Sequence, residues 1–312
     1  MTTACKISIV VPCYNETESI REFYRVITEV LNSKYHYELI FVNDGSTDDT
    51  LSQLKELADR NANVKYISFS RNFGHQNALK AGLDLSEGDA VISLDADLQH
   101  PPRLIPTLIQ KWEEGNDVVY TVREEHASIG FFKKITSRTF YKMMNGLSET
   151  KIEIGASDFR LLDRKVVDVL KSMPESSLFL RGMISWMGFQ QMAIPYQADE
   201  RFAGQSKYTI RKMIKLASSG ITSFSIRPLK LSIYIGVTLA LMAFAFVIYA
   251  LIIHFFTDQA IPGWASIVVG IMFFSGVNLL FLGIIGEYLG KLFLEHKGRP
   301  NYIIRETNID SK

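Results

Sequence analysis

Short apolar runs alternate with stretches of helical periodicity over about the first 125 residues of the chain. Five runs have the length and β-branched content of strands: residues 7–12, 38–44, 64–70, 90–95 and 117–122. The helical stretches lie between them, at residues 18–31, 47–60, 75–85 and 103–114. Because strands alternate with helices, the pattern predicts an α/β fold in which helices cover both faces of a parallel sheet.

Two long uncharged runs, residues 231–253 and 264–286, follow near the C-terminus. Each exceeds the roughly 20 apolar residues that cross the hydrocarbon core of a bilayer, so they predict a hairpin of two transmembrane helices. The alternative is a pair of buried helices in a soluble core. Lys and Arg residues flank the hairpin and are absent from it, which places both termini in the cytoplasm, at the inner (cytoplasmic) membrane.

Two further segments, residues 128–144 and 207–224, mix basic residues with large apolar ones. This pattern is typical of amphipathic helices that lie on an anionic leaflet, although ordinary surface helices give it too. The predicted organisation is an α/β domain at 1–205, interfacial helices at 206–230, the transmembrane hairpin at 231–293 and a cytoplasmic tail at 294–312.

The net charge and the cysteine content exclude some classes of partner and site. A formal net charge of +1 gives no reason to expect a nucleic-acid partner. The two cysteines, Cys5 and Cys13, fit neither a disulfide framework nor a zinc site, so we expect reduced thiols.

Polar segments follow four of the predicted strands: "PCYNE", "NDGSTDD", "SRNFGHQ" and "DADLQHPP". In open α/β sheets, ligands bind beyond the carboxyl ends of the strands, so the four segments predict a site at one edge of the sheet. No "GxGxxG" or "GxxxxGK[ST]" occurs, which disfavours a Rossmann dehydrogenase and a P-loop NTPase.

The fourth segment places two carboxylates and an amide at alternate positions, Asp95, Asp97 and Gln99. Alternate residues of an extended chain share a face, so the three side chains are expected to converge. Oxygen ligands of this kind suit Mg²⁺ or Mn²⁺, which bind substrate phosphates through one or two carboxylates. The sequence therefore predicts a divalent metal at this edge.

The motifs "VVPCYNE", "VNDGSTDDT", "SRNFGHQNALKAGL", "DADLQHPP", "DFRLLDR" and "RFAGQSKY" occur in this order. In this combination, residues 7–208 resemble a family-2 glycosyltransferase of the GT-A fold. With the two apolar runs, the whole chain is similar to the polyprenyl-phosphate glycosyltransferases, which include dolichyl-phosphate mannose synthase and the bactoprenol glucosyltransferases.

The resemblance implies a role for each residue that matches a motif. Residues that would hold the base and ribose of a nucleotide sugar are Pro12, Tyr14, Glu16, Asp44 and Asp95. Residues that would bind the metal are Asp95, Asp97 and Gln99. Tyr14 has an alternative role in simple packing.

The resemblance also implies residues for catalysis and for the acceptor. Arg123 would reach a phosphate, although a surface ion pair with its acidic neighbours is the alternative. Asp158 occupies the place of the family's candidate catalytic carboxylate; alternatively it orients Arg160 or caps a helix that begins near Asp163. Residues that would receive the lipid phosphate are Lys134, Arg201 and Lys207. His75 and His100 are interpreted as polar loop residues without chemistry.

The implied reaction is metal-dependent transfer of a hexose from a nucleotide sugar to undecaprenyl phosphate, with inversion at the anomeric carbon. Glucose from UDP-glucose is the preferred substrate, with UDP-N-acetylglucosamine and GDP-mannose as alternatives. A processive polysaccharide synthase is disfavoured because no Arg-Trp pair occurs, and a silent sugar-nucleotide sensor because the metal ligands are present. A homo-oligomer is expected from the resemblance.

Overall fold

The computed structural model describes residues 5–31, 34–123, 155–175, 178–197, 227–256 and 263–309. Its centre is one eight-stranded sheet. The strands are β1 (Lys6–Cys13), β2 (His36–Asn43), β3 (Val64–Phe69), β4 (Ala90–Ser93), β5 (Val118–Arg123), β6 (Ala156–Asp163), β7 (Gln191–Tyr196) and β8 (Ile304–Thr307). Their order across the sheet is β7-β5-β6-β4-β1-β2-β3-β8.

The sheet is mixed, whereas the strand pattern predicts a parallel one. Strands β4, β1, β2 and β3 are parallel neighbours, as expected. Strand β6 lies antiparallel between β4 and β5, and β8 pairs antiparallel with β3. The apolar pattern does not predict β6, because Asp158 and Arg160 interrupt it, although both side chains are buried. The α/β fold class itself is confirmed.

The helices of this domain pack on both faces of the sheet. They are α1 (Ile20–Leu31), α2 (Thr50–Arg60), α3 (His75–Leu85), α4 (Ile105–Glu113), α5 (Arg164–Ser172) and α6 (Leu180–Trp186). One buried cluster joins α1, α2 and α4 to one face, and a second joins α3, α5 and α6 to the other. Helix α3 lies very close to β1, since a Cβ added to Gly82 would lie 2.2 Å from Cγ1 of Val10.

Two long helices, α7 (Arg227–Phe256) and α8 (Trp264–His296), contain the predicted apolar runs and contact each other. In their most apolar stretches, Leu229–Phe246 and Gly270–His296, no residue is buried inside the structure. The alternative of two helices in a soluble core is therefore wrong. Apolar surfaces of this size do not remain in water, so the chain associates with a membrane, and the helices fit the predicted hairpin.

The segment after α8, residues 298–309, is here called the C-terminal strap. It returns to the α/β domain and contributes β8, the edge strand beside β3. Asn308 extends this pairing, because its side chain accepts a hydrogen bond from the Tyr66 backbone N–H at 2.7 Å. Residues 294–312, predicted as a cytoplasmic tail, thus include residues 304–307, which form part of the sheet of the domain.

Candidate active site

A cavity of about 340 Å³ lies at the carboxyl ends of β1, β2 and β4. Four carboxylate residues line it together with the start of α3, so the cavity is strongly acidic. Six sequence-predicted site residues are among those that line it: Pro12, Tyr14, Glu16, Asp44, Asp95 and Asp97. The tertiary structure thus brings together most of the residues expected to bind a nucleotide sugar and a metal.

Asp44 holds the loop between β3 and α3 against the end of β2. Its two carboxylate oxygens accept hydrogen bonds from the backbone N–H groups of Phe73 and Gly74, at 2.6 and 2.9 Å. Burial raises the pKa of Asp44 above its ordinary value, and the two N–H donors oppose that shift. The carboxylate therefore shapes the cavity wall; its contact with a base stays a prediction.

Gly45 allows the β2 and β3 loops to approach each other. Its φ of +66° is a left-handed conformation that L side chains rarely adopt. A Cβ at this position would lie only 2.3 Å from the carbonyl carbon of Arg71. Only glycine fits here without displacing the backbone that carries Asn72 and Gly74 into the cavity wall.

The loop after β1 supplies Tyr14 and Glu16. Asn15 between them adopts a left-handed φ of 56°, and its side chain accepts a hydrogen bond from the Thr47 backbone N–H at 2.9 Å. The Tyr14 side chain is 46% exposed, so packing in the core is not its role. An exposed ring at the cavity mouth is suited to stacking on a planar base.

Asp95 is held by two histidines that the sequence interpretation leaves without chemistry. His75 Nε2 lies 2.8 Å from Oδ1 of Asp95, and His100 Nε2 lies 3.1 Å from Oδ2. His100 is only 9% exposed, and its Nδ1 lies 2.9 Å from the hydroxyl of Tyr196. His75 is the first residue of α3 and His100 lies in the loop after β4, and the interpretation of both as loop residues does not include the contacts by which they orient a carboxylate of the cavity.

The charges of this group depend on one another. Burial lowers the pKa of His75, but the hydrogen bond and charge of Asp95 outweigh it and raise that pKa to about 9. Burial alone would raise the pKa of Asp95, whereas hydrogen bonds from His100 and His75 hold it well below its ordinary value. Asp95 is therefore a carboxylate anion at neutral pH.

The chain turns immediately after β4, contrary to the extended geometry expected for the metal ligands. Strand β4 ends at Ser93, Leu98 has a left-handed φ of 59°, and the Gln99 backbone N–H donates to Oδ1 of Asp97 at 3.1 Å. Asp95 and Asp97 line the cavity, but Gln99 is not among its lining residues. The strand alternation on which the expected convergence rested is absent here, because the chain turns, and metal binding by Gln99 stays a prediction.

The donor set at the turn fits a divalent ion that keeps much of its coordination shell outside the protein. Among the described residues, no three Asp, Glu, His or Cys side chains form a complete metal-binding group. Asp97, with Asp95 beside it, offers carboxylate oxygens to the cavity. Mg²⁺ is commonly held in this way, by one or two carboxylates together with waters and substrate phosphates.

Asp158 lies on β6, beside the end of β4, and is 8% exposed. Arg181 on α6 binds it with two hydrogen bonds, from Nε to Oδ1 and from Nη2 to Oδ2, each 2.8 Å long. Arg160 donates to the same carboxylate at 3.4 Å. Burial alone would raise the pKa of Asp158, but Arg181 and then Arg160 lower it to about 2.

A carboxylate with so low a pKa accepts a proton weakly, so this geometry favours a positioning role for Asp158. Capping of the next helix is wrong, because Asp163 caps α5 itself by accepting a hydrogen bond from the Lys165 backbone N–H. The alternative that Asp158 orients Arg160 explains only part of the contacts of Asp158, because its shorter ion pair is with Arg181. Sequence reasoning misses Arg181, which no motif marks.

Arg123 is the last residue of β5 and is exposed. It pairs across the sheet with Tyr196, the partner of His100, so it lies beside the cavity's supporting residues without lining the cavity. Its contact with a phosphate stays a prediction. The predicted acceptor ligands Lys134, Arg201 and Lys207 lie outside the described residues, as do the basic segments 128–144 and 207–224.

Comparison with known proteins assigns the chain to a family. The profile described as "Glycosyl transferase family 2" matches residues 8–170. The uncharacterized glycosyltransferase YkcC of Bacillus subtilis is 47% identical, over 98% of this chain and 95% of its own. The SfII prophage-derived bactoprenol glucosyl transferase of Shigella flexneri is 43% identical, over 97% of this chain and 98% of its own.

Among solved structures, glucosyl-3-phosphoglycerate synthase from Mycobacterium tuberculosis is 18% identical with a TM-score of 0.48. The match covers 70% of this chain and 78% of that chain. Its crystal contains Mn²⁺, uridine diphosphate and glucosyl-3-phosphoglycerate. A likeness this distant carries no inference about the ligands of the present chain.

Proposed function

Because the chain belongs to glycosyl transferase family 2, we propose that it transfers glucose from UDP-glucose to the phosphate of bactoprenol, that is, undecaprenyl phosphate. The observation that carries this proposal is the pairing, in one chain, of an acidic cavity at the strand ends with two exposed apolar helices. The acceptor class follows the bactoprenol glucosyl transferases that are 43% and 44% identical over nearly the whole chain.

The described residues support separate roles in the cavity for base binding, metal binding and orientation of Asp95. In this proposal Tyr14 stacks on the base, and Asp97, with Asp95 beside it, holds a divalent ion; all three residues line the cavity. When bound, that ion neutralises the charge that develops on the leaving diphosphate. His75 and His100 keep Asp95 ionised and oriented, so that the cavity is organised before the sugar donor enters.

The acceptor needs positioning more than deprotonation. A phosphate monoester has a second pKa of about 6, so its oxygen is already largely anionic at neutral pH. A general base is then unnecessary, which agrees with the paired state of Asp158. Lys134, Arg201 and Lys207 remain our proposed acceptor ligands. A single displacement by the phosphate oxygen inverts the anomeric carbon, giving a β-linked product from an α-linked donor.

The membrane arrangement is part of the proposal. We place α7 and α8 across the cytoplasmic membrane, with both termini and the α/β domain on the cytoplasmic side. Segments 128–144 and 207–224 would lie on the leaflet beside the acceptor headgroup.

The test uses membranes that contain the full chain, undecaprenyl phosphate and Mg²⁺. A panel of labelled UDP-glucose, UDP-N-acetylglucosamine and GDP-mannose is supplied separately, and label in the organic phase identifies the sugar donor. We expect label from UDP-glucose, and none in matched membranes that contain the Asp97→Asn variant. Transfer from another sugar donor alone would reject glucose; transfer from none would reject the enzymatic proposal.

A further inference from the structure

Beside the cavity, the structure places two guanidinium groups around one buried carboxylate. Arg160 and Arg181 both donate to Asp158, and together they give the group an excess of positive charge. The Arg160 side chain is buried, whereas 35% of the Arg181 side chain is exposed. A guanidinium stays charged at any physiological pH and binds phosphate oxygens well.

The group adjoins the cavity through two consecutive residues at the start of α3. His75 contacts Asp95 in the cavity, and Gln76 lies 3.5 Å from Oδ2 of Asp158 through its Nε2. The same Gln76 side chain accepts a hydrogen bond from the Leu180 backbone N–H at 3.1 Å, immediately before Arg181.

We infer that Arg181 binds a phosphate group at the rim of the cavity and that Asp158 is the positioning residue that orients its guanidinium. The inference rests on the proposed function, because both substrates of that reaction carry phosphate. The bidentate pair fixes the plane of a side chain that would otherwise sample many rotamers. The phosphate belongs either to the diphosphate of the sugar donor or to the lipid acceptor, which share this chemistry.

The experiment compares Arg181→Gln, Arg181→Lys and the wild-type full chain in detergent. One arm measures the Kd of UDP with Mg²⁺ by calorimetry, without turnover. The other measures the Kd of undecaprenyl phosphate in mixed micelles, also without turnover. We expect Arg181→Gln to weaken binding about tenfold or more in one arm, and that arm identifies the phosphate. Arg181→Lys should recover part of the loss because it keeps the charge.

The matched control is Arg60→Gln, which removes an exposed guanidinium paired with Glu56 at the far end of α2. It should leave both Kd values unchanged. Circular dichroism and the thermal unfolding midpoint verify that each variant folds. If Arg181→Gln fails to fold, Arg181→Gln combined with Asp158→Asn takes its place, because it also removes the buried carboxylate that has lost its closer partner. A folded variant with wild-type affinity in both arms would overturn the inference.

Asp158 is tested through its coupling to Arg181. If it acts by orienting the guanidinium, Asp158→Asn raises the Kd in the same arm as Arg181→Gln, and the double variant is little worse than either single one. A loss of kcat alone in Asp158→Asn, with both Kd values unchanged, would instead indicate a base and overturn the positioning role.

The outcomes separate this inference from the proposed function. Wild-type transfer of glucose with no effect of Arg181→Gln would reject the inference and leave the function standing. Absence of transfer from every nucleotide sugar would reject the function, whereas the two binding arms would still decide whether Arg181 holds a phosphate.

Discussion

Tyr302 of the C-terminal strap stacks on Phe69 of β3, with ring centroids 5.2 Å apart and ring planes 13° apart. Phe69 in turn makes an edge contact with Phe73, whose backbone N–H donates to Asp44 in the cavity wall. A residue that follows the second apolar helix therefore packs against the support of the candidate active site.

Replacement of Tyr302 tests how much the strap stabilises the α/β domain. Tyr302→Ala removes the stack, and we expect a loss of about 2 kcal/mol in the free energy of unfolding. Tyr302→Phe keeps the ring but loses the hydrogen bond from the hydroxyl to Oδ2 of Asp84, at 3.0 Å, and should cost about 1 kcal/mol. Unfolding of the full chain in detergent measures both. Wild-type stability of Tyr302→Ala would mean that the Tyr302 contacts do not stabilise the domain, which leaves the pairing of β8 with β3 as the contribution of the strap.

Gly45 offers a test of the close approach between the β2 and β3 loops. Gly45→Ala adds a Cβ 2.3 Å from the backbone of Arg71, so we expect about 3 kcal/mol of destabilisation and weaker UDP binding. Gly298→Ala is the matched control, because its φ of +57° is similar and nothing lies within 4 Å of the added Cβ. That control should cost only about 1 kcal/mol. Equal losses in the two variants would show that conformation, not contact, requires glycine at position 45.

Glu38 lies near the start of β2, at the end of the strand away from the cavity, and it makes the stability of the domain depend on pH. Its side chain is 3% exposed and pairs with Lys6 and Lys65, at 2.9 and 2.7 Å. Burial alone would raise the pKa of Glu38, but hydrogen bonds from Lys65, Ser8, the Glu87 backbone and Lys6 lower it to about 2.

Because the folded-state pKa is depressed, the stabilisation by Glu38 is complete above its ordinary pKa of 4.5 and disappears as pH falls toward 2. At pH 7, Glu38→Gln should cost about 3 kcal/mol, and this difference from wild type should shrink in acid. Denaturant unfolding between pH 7 and pH 3 measures it. Glu29→Gln, which removes an exposed partner of Arg25, is the control and should change little. A pH-independent difference for Glu38→Gln would contradict the ionised state.

Removal of the metal or of its principal ligand should weaken nucleotide binding without disturbing the membrane helices. We expect Asp97→Ala to abolish transfer and to raise the Kd of UDP at least tenfold in the presence of Mg²⁺. Wild-type protein treated with a chelator should show the same loss, and the variant should gain nothing from added Mg²⁺. Carbonate extraction of membranes measures insertion, which should stay unchanged. Near-normal UDP affinity in Asp97→Ala would remove Asp97 from the metal site.

Local patterning alone predicts the parallel core and much of the site. The spacing of apolar residues indicates β1 to β4 closely, and the predicted and observed bounds of α3 are both 75–85. The polar segments at these strand ends meet because parallel strands end at one edge, so Asp44, Asp95 and Asp97 line one cavity as expected. The two apolar helices are likewise readable from composition and length.

The sequence by itself thus determined the fold class, the strand edge that carries the cavity and the apolar hairpin, because these depend on periodicity and composition along the chain. Only the tertiary structure decided that His75 and His100 both contact the Asp95 carboxylate, that Arg181 pairs with Asp158 and that the strap forms β8. Apart from the His100–Asp95 contact, which joins residues five positions apart, those contacts join residues at least 20 positions apart, and Asp158 and Arg160 are charged side chains buried within a strand. No local pattern encodes these contacts. Burial of a polar group costs free energy, and this cost is offset only when folding brings the partner group into contact with it.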